Sequence, residues 1–267
     1  MITLDFESED DWPGKGGYRI IGIISSGPSG SVYLAQDLRF PAIHRLCVIK
    51  EMLVLIPDQK LRDMAIRNFE HEAEILATLS HPSIPRICDY FNFGNRAYLV
   101  MEYIRDRDLE ALLNSTDAPL PAHAVRQWAI EICDALSYLH SHSPKPIIFR
   151  VMKPGHVMID QLRHAHLVDF GLGMPFLSNQ QEKIAEEKKR YSPERDVYDL
   201  GLTLFHVLTR CDPDLELPSS LVRPIAVYNP NVSAEFASVV ERAISTDPEQ
   251  RFHSASELKL ALIAAGA

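Results

Sequence analysis

Basic charge is in deficit along this chain. Its 267 residues hold 27 lysines and arginines against 36 aspartates and glutamates, a net charge of −9. A surface of that sign repels phosphate backbones and anionic headgroups, which disfavours a nucleic-acid or membrane-surface role. Cysteine is scarce as well. Cys47, Cys88, Cys133 and Cys211 are far apart and form no Cys-x-x-Cys pair. Neither a zinc site nor a disulfide framework is expected, and each cysteine reads as a small core hydrophobe. No run reaches the ~18 apolar residues that a membrane span needs. No secretory leader is expected either, because Asp5 and the acids after it interrupt any apolar run. Internal repeats and low-complexity segments are missing. The expected compartment is the cytoplasm, with no nucleic-acid partner and no membrane span in this chain.

What is present falls into two unlike regions. Tyr18–Ile24 and Ser31–Ala35 read as strands around a Ser/Gly/Pro turn, and Leu46–Lys50 as a third strand. From Met64 to Leu79, Ile66, Phe69, Ala73 and Leu76 recur at helical spacing. Arg86–Phe91 and Ala97–Met101 read as two more strands around Gly94-Asn95. The remainder reads as helices. Val125, Trp128, Ile132, Leu136 and Leu139 form one stripe, and Val197–Leu208 is apolar nearly all round, as in a buried central helix. Ser233 is placed to cap a helix bearing Phe236, Val240 and Ile244, and Ser254 with Glu257 forms a capping box before Leu258 and Leu262. Strands first and helices after predict an α+β class with two unequal lobes. The expected division is an acidic tail over 1–17, a β-rich lobe with one main helix over 18–101, a hinge over 102–108 and a helical lobe over 109–267.

Several motifs then follow in order. Ile24–Tyr33 matches much of G-x-G-x-x-G-x-V through Gly27, Gly30 and Val32, with Ser25 in place of the first glycine. Glycines let a backbone approach phosphates closely, although a Gly/Ser stretch is equally often only a hairpin turn. Cys47-Val48-Ile49-Lys50 ends a strand in lysine, and Glu72 lies on the helix that follows. Met101-Glu102-Tyr103 closes the last strand of the first lobe. Pro146–His156 leads, thirteen residues after His156, to Asp169-Phe170-Gly171. Asp247–Phe252 stands before the final capping box.

In this order the motifs resemble those of the bacterial eukaryotic-like (Hanks-type) Ser/Thr protein kinases, over residues 18–264. The resemblance implies a bilobal protein-kinase-like fold. It implies that Gly27, Gly30 and Val32 cover a nucleotide's phosphates, and that Lys50, paired with Glu72, holds them. Val48 would pack on the adenine, with Met101 as gatekeeper, Glu102 and Tyr103 in the hinge and Met158 as the pocket floor. Asp169 would ligate Mg²⁺, and Lys153 would contact the transferring phosphate.

The departures from that family are chemical. The pattern H-R-D-x-x-x-x-N reads Phe149-Arg150-Val151 and ends in His156. Valine cannot accept a proton, and general-base help is worth roughly 10²–10⁴-fold. Imidazole nitrogen suits softer metals better than Mg²⁺. No catalytic position is therefore intact apart from Lys153. Val48 stands where the family has alanine, and Pro28 removes an amide from the glycine loop. Only 27 positions separate Asp169 from Asp196, the aspartate opening the central helix. Ser192-Pro193-Glu194 is then either A-P-E after a deletion, which is slightly favoured, or a lead-in to that helix; Glu194 would pair with Arg251. The charged stretch Gln180–Arg190 reads as a solvated helix or loop, and Ser178 is the one serine or threonine between Phe176 and Tyr191. The expectation is a pseudokinase, a regulatory or protein-binding module with a protein partner. Its pocket would take ATP with Mg²⁺ or Mn²⁺, or no cofactor. The competing expectation is a weakly active Ser/Thr kinase or other nucleotide-dependent phosphotransferase.

Overall fold

The structure is a computed structural model and describes residues 17–27, 30–40, 42–53, 59–93, 96–169, 191–212 and 223–266. The acidic tail up to residue 16, Pro28, the Gly94-Asn95 turn, Phe170, Gly171 and residues 172–190 lie outside them. Two compact units divide the described chain: residues 17–80 with 85–103, and residues 81–84 with 104–169, 191–212 and 223–266. Residues 81–84, expected in the first lobe, group with the second. Leu167 N donates to Ser83 O at 2.8 Å, and the His81 ring lies 5.3 Å from that of Tyr138.

The first unit is a five-stranded antiparallel sheet in the order β1-β2-β3-β5-β4. Its strands are β1 (Tyr18–Gly27), β2 (Gly30–Asp37), β3 (Leu46–Leu53), β4 (Ile87–Phe93) and β5 (Arg96–Glu102), with helix α1 (Gln59–Ala77) beside them. Alternation along β3 sorts its side chains. Cys47 and Ile49 point into one cluster with Tyr18, Tyr33, Tyr98 and Val100. Val48 and Met52 point the other way, onto Phe69 and Ala73 of α1 with Ala97, Leu99 and Met101. Fully burying one such aliphatic or aromatic side chain is worth ~1.5–3 kcal/mol, so the two clusters fix the register of β3.

Glu51 is the exception on that first face, a carboxylate only 4% exposed. Burying it alone would be costly. Tyr33 Oη donates to it at 2.9 Å and Tyr98 Oη at 3.2 Å, and the Arg96 guanidinium closes the set. Burial, and then the nearby carboxylate, push both phenols above their ordinary pKa, so they remain protonated donors.

The second unit is helical: α2 (Leu109–Asn114), α3 (Ala122–His140), α4 (Pro193–Thr209), α5 (Ile225–Tyr228), α6 (Ala234–Ala243) and α7 (Ala255–Ala264). The expected stripe of α3 is buried along its length, as are Val197, Leu200, Leu204, Phe205 and Leu208 of α4. Gly201 is needed where α4 meets α6. A Cβ there would lie 2.9 Å from Ala243 Cβ and from Ile244 Cγ2. Ser233 and Ser254 accept from Phe236 N at 3.2 Å and Glu257 N at 3.1 Å, caps worth ~1 kcal/mol each. Among the described residues no helix is long and apolar enough to cross a membrane.

Two features depart from the sequence reading. A three-stranded sheet, β6 (Asp106–Asp108), β7 (Val157–Asp160) and β8 (Ala165–Leu167), lies among the helices, as does α2. Strands of three or four residues are too short to show a two-residue period. The expected Glu194–Arg251 pair does not form. Glu194 is exposed, while Arg251 stacks 4.1 Å from the centre of the Tyr198 ring and its Nε donates to Ser245 O at 2.5 Å. Ser192 caps α4 through its hydroxyl, which accepts from Arg195 N at 3.2 Å, and Pro193 opens the first turn. Ser192-Pro193-Glu194 thus forms the cap and first turn of α4.

Candidate functional site

In the first unit the glycine motif is the β1–β2 hairpin, with Gly27 paired to Gly30 and Ser25 to Val32. Gly30 has φ +140°, and a Cβ on it would meet Glu51 O at 2.1 Å. Packing of β2 on β3 therefore demands this glycine whatever the loop binds. Gly27 has open space around its Cα. Ser26 Oγ and Ser31 Oγ lie 2.9 Å apart and clip the exposed hairpin.

Opposed residues of neighbouring strands share a face. Val32 lies opposite Lys50, and Lys50 opposite Leu99; Val48 lies opposite Met101. Leu99 and Met101 pack on Phe69 and Ala73, which flank Glu72 along α1. The sheet thus brings Val32, Val48, Lys50 and Met101 to its α1 side, and α1 carries Glu72 there, half-buried like Lys50. Glu102 exchanges backbone contacts with Arg86: its N donates to Arg86 O at 2.9 Å, and its carboxylate accepts from Arg86 N at 3.4 Å. Tyr103 is the last described residue of this unit.

In the second unit one buried carboxylate organises the loop that precedes Val151. Asp196, with no exposed surface in the first turn of α4, accepts from Phe149 N at 2.7 Å and Arg150 N at 2.8 Å. His140 Nε2, at the end of α3, lies 2.8 Å from the same group. Phe149 and Met152 are buried, and Arg150 is held at φ +78°, a conformation that a non-glycine residue adopts only when its surroundings impose it. The loop is therefore positioned by hydrogen bonds that do not depend on residue 151. Sequence reasoning named Asp196 only as a helix start and missed His140, because a histidine ending a helix carries no local signal.

Past this anchor the chemical positions differ. Val151 is 40% exposed and offers methyl groups. Lys153 is exposed and precedes a short turn over 154–156. The His156 ring is held at both nitrogens: Nδ1 donates to Val151 O at 2.8 Å, and Nε2 lies 3.1 Å from Asp169 Oδ2. Its edge meets Phe149 with ring centres 6.4 Å apart, and only 12% of the side chain is exposed. Val168 N donates to His156 O at 3.0 Å, fixing Asp169 beside it. β8 ends at Leu167, and Asp169 sits beyond it at φ +66°. Met158 is half-buried on β7, opposite Asp108 and His166.

This donor set does not fit the pair of Mg²⁺ ions that the resemblance implies. A hard cation takes oxygen ligands. The second ligand position holds an imidazole, and that imidazole is engaged with the first ligand. Among the described residues no cluster of three or more His, Cys, Asp or Glu can hold a metal ion.

Comparison with known proteins supports the family resemblance. A family model described as the protein kinase domain matches residues 18–261. The chain belongs to that family. It is 32% identical to the serine/threonine-protein kinase PknA of Nostoc sp., over 92% of this chain and 46% of that protein. It is 29% identical to serine/threonine-protein kinase PknB of Mycobacterium leprae, over 92% of this chain and 42% of that one. The chain thus spans less than half the length of these relatives. The crystal structure of the M. tuberculosis PknI kinase domain aligns with a TM-score of 0.72 at 24% identity, over 94% of this chain and 96% of that one. The fold is accordingly the α+β protein kinase fold, with a β-sheet N-lobe and a helical C-lobe.

Proposed function

We propose that this chain is a pseudokinase, a kinase-fold module that works by binding in the cytoplasm and regulates a protein partner without transferring phosphate. The observation that carries the reading is Val151 on a loop that Asp196 still anchors. The proton acceptor is missing from a backbone held as a catalytic loop would be, so a displaced segment is not the explanation. Without a residue to receive the hydroxyl proton, roughly 10²–10⁴ in rate is forgone. His156 at the second metal position removes charge neutralisation, on which phosphoryl transfer chiefly depends. What the domain keeps, Lys50 and Glu72 on one side of the first sheet, suits a nucleotide's phosphates.

A second reading is a slow Ser/Thr kinase, favoured by relatives that bear that name and by the retained Lys50, Glu72, Lys153 and Asp169. Transfer of label from γ-labelled ATP to a generic protein substrate separates the two. The pseudokinase reading expects the wild-type chain and Lys50→Ala to give the same background in Mg²⁺ and in Mn²⁺. Transfer that Lys50→Ala abolishes would establish the slow enzyme.

A further inference from the structure

We propose that His156 closes the cation position at Asp169, so that this domain recruits neither Mg²⁺ nor Mn²⁺ there. The proposal rests on the pseudokinase reading and deepens it: the metal is displaced by a side chain of the protein itself.

Three observations carry it. The ring and a cation would compete for the same carboxylate, and Nε2 already lies 3.1 Å from Asp169 Oδ2. The ring cannot swing aside freely, because Nδ1 is tied to Val151 O at 2.8 Å and its edge packs on buried Phe149. The replacement is also chemically one-sided. Imidazole is a poor ligand for hard divalent ions, and a softer ion such as Zn²⁺ needs three or four protein ligands. Among the described residues this site assembles no third. The same valine–histidine pair thus accounts for two losses. Residue 151 supplies no base, and its carbonyl oxygen orients the ring that blocks the metal.

The test uses the intact, isotope-labelled chain. Mn²⁺ broadens amide signals close to where it binds, even when binding is weak. The proposal expects no selective broadening of residues 151–157 and 168–169 in the wild-type chain, and clear broadening in His156→Asn. His156→Ala, which simply vacates the site, serves as a second variant should the first not fold, with the same expectation. Wild-type broadening that Asp169→Asn removes would overturn the proposal. Broadening in none of these chains would overturn it too, since something other than His156 would then exclude the ion. A companion measurement is the rise in unfolding midpoint on adding millimolar ATP. Equal rises in EDTA and in Mg²⁺, zero included, agree with the proposal. A larger rise in Mg²⁺ that Asp169→Asn abolishes contradicts it. Failure here leaves the transfer assay blank, whereas failure of the pseudokinase reading gives a Lys50-dependent signal, so the two are told apart.

Discussion

The two ends of one loop have opposite characters. Residues 149–150 are tied by their amides to Asp196, which has no exposed surface and a third contact from His140. Residues 151–156, a few positions on, carry a half-exposed valine and a histidine turned onto Asp169. In a working kinase of this family both ends serve one reaction. Here the end that builds the fold is kept and the end that does chemistry is altered. The anchoring contacts are therefore independent of the residue type at 151: Asp196 holds the loop although no proton acceptor stands there.

Asp196→Ala should break that comparison most severely. It leaves two buried amides and the His140 ring without their acceptor, and removing one partner from a buried, charged hydrogen-bond set costs ~3–5 kcal/mol. Denaturant unfolding should show a loss of that size. Gly30→Ala should cost less. It places a Cβ against the Glu51 carbonyl in a backbone conformation that L side chains rarely adopt, and strain of this kind costs of order 1–3 kcal/mol. Gly27→Ala, with open space at its Cα, is the control and should stay within about 1 kcal/mol of wild type. The glycine motif would then be shown to serve the sheet at one position and not at the other. Val151→Asp should have the smallest effect on stability, within ~0.5 kcal/mol, because the side chain points partly to solvent. It should also fail to restore transfer, since His156 still faces Asp169. Efficient phosphorylation by this single variant would show that one residue, and not the metal position, limits the chemistry.

Much of this was legible in the sequence, and the exceptions have physical reasons. Helix α3 announced itself through its apolar stripe, and α4 through a run apolar nearly all round. The strands of the first sheet did so through runs of five or more residues between turn formers. The β6-β7-β8 sheet escaped because its strands hold too few residues to alternate visibly. At the site, the absence of a proton acceptor at residue 151 was plain from residue type alone, and so was a histidine where the resemblance implies a metal-binding asparagine. Its contact with Asp169 was not. A side chain's partner across thirteen residues depends on backbone turns such as the left-handed Asp169, which no local pattern encodes. The Arg251 pairing failed for the converse reason. Arg251 took a nearby ring, Tyr198, and a nearby carbonyl, contacts that a motif carried over from relatives does not contain.

The central claim, a kinase fold without phosphoryl transfer, is tested most directly by the intact mass of the wild-type chain after prolonged incubation with ATP and either Mg²⁺ or Mn²⁺. The account predicts a mass unchanged from the untreated protein and identical to that of Lys50→Ala treated alike. Phosphate added to the wild-type chain and absent from Lys50→Ala would contradict it.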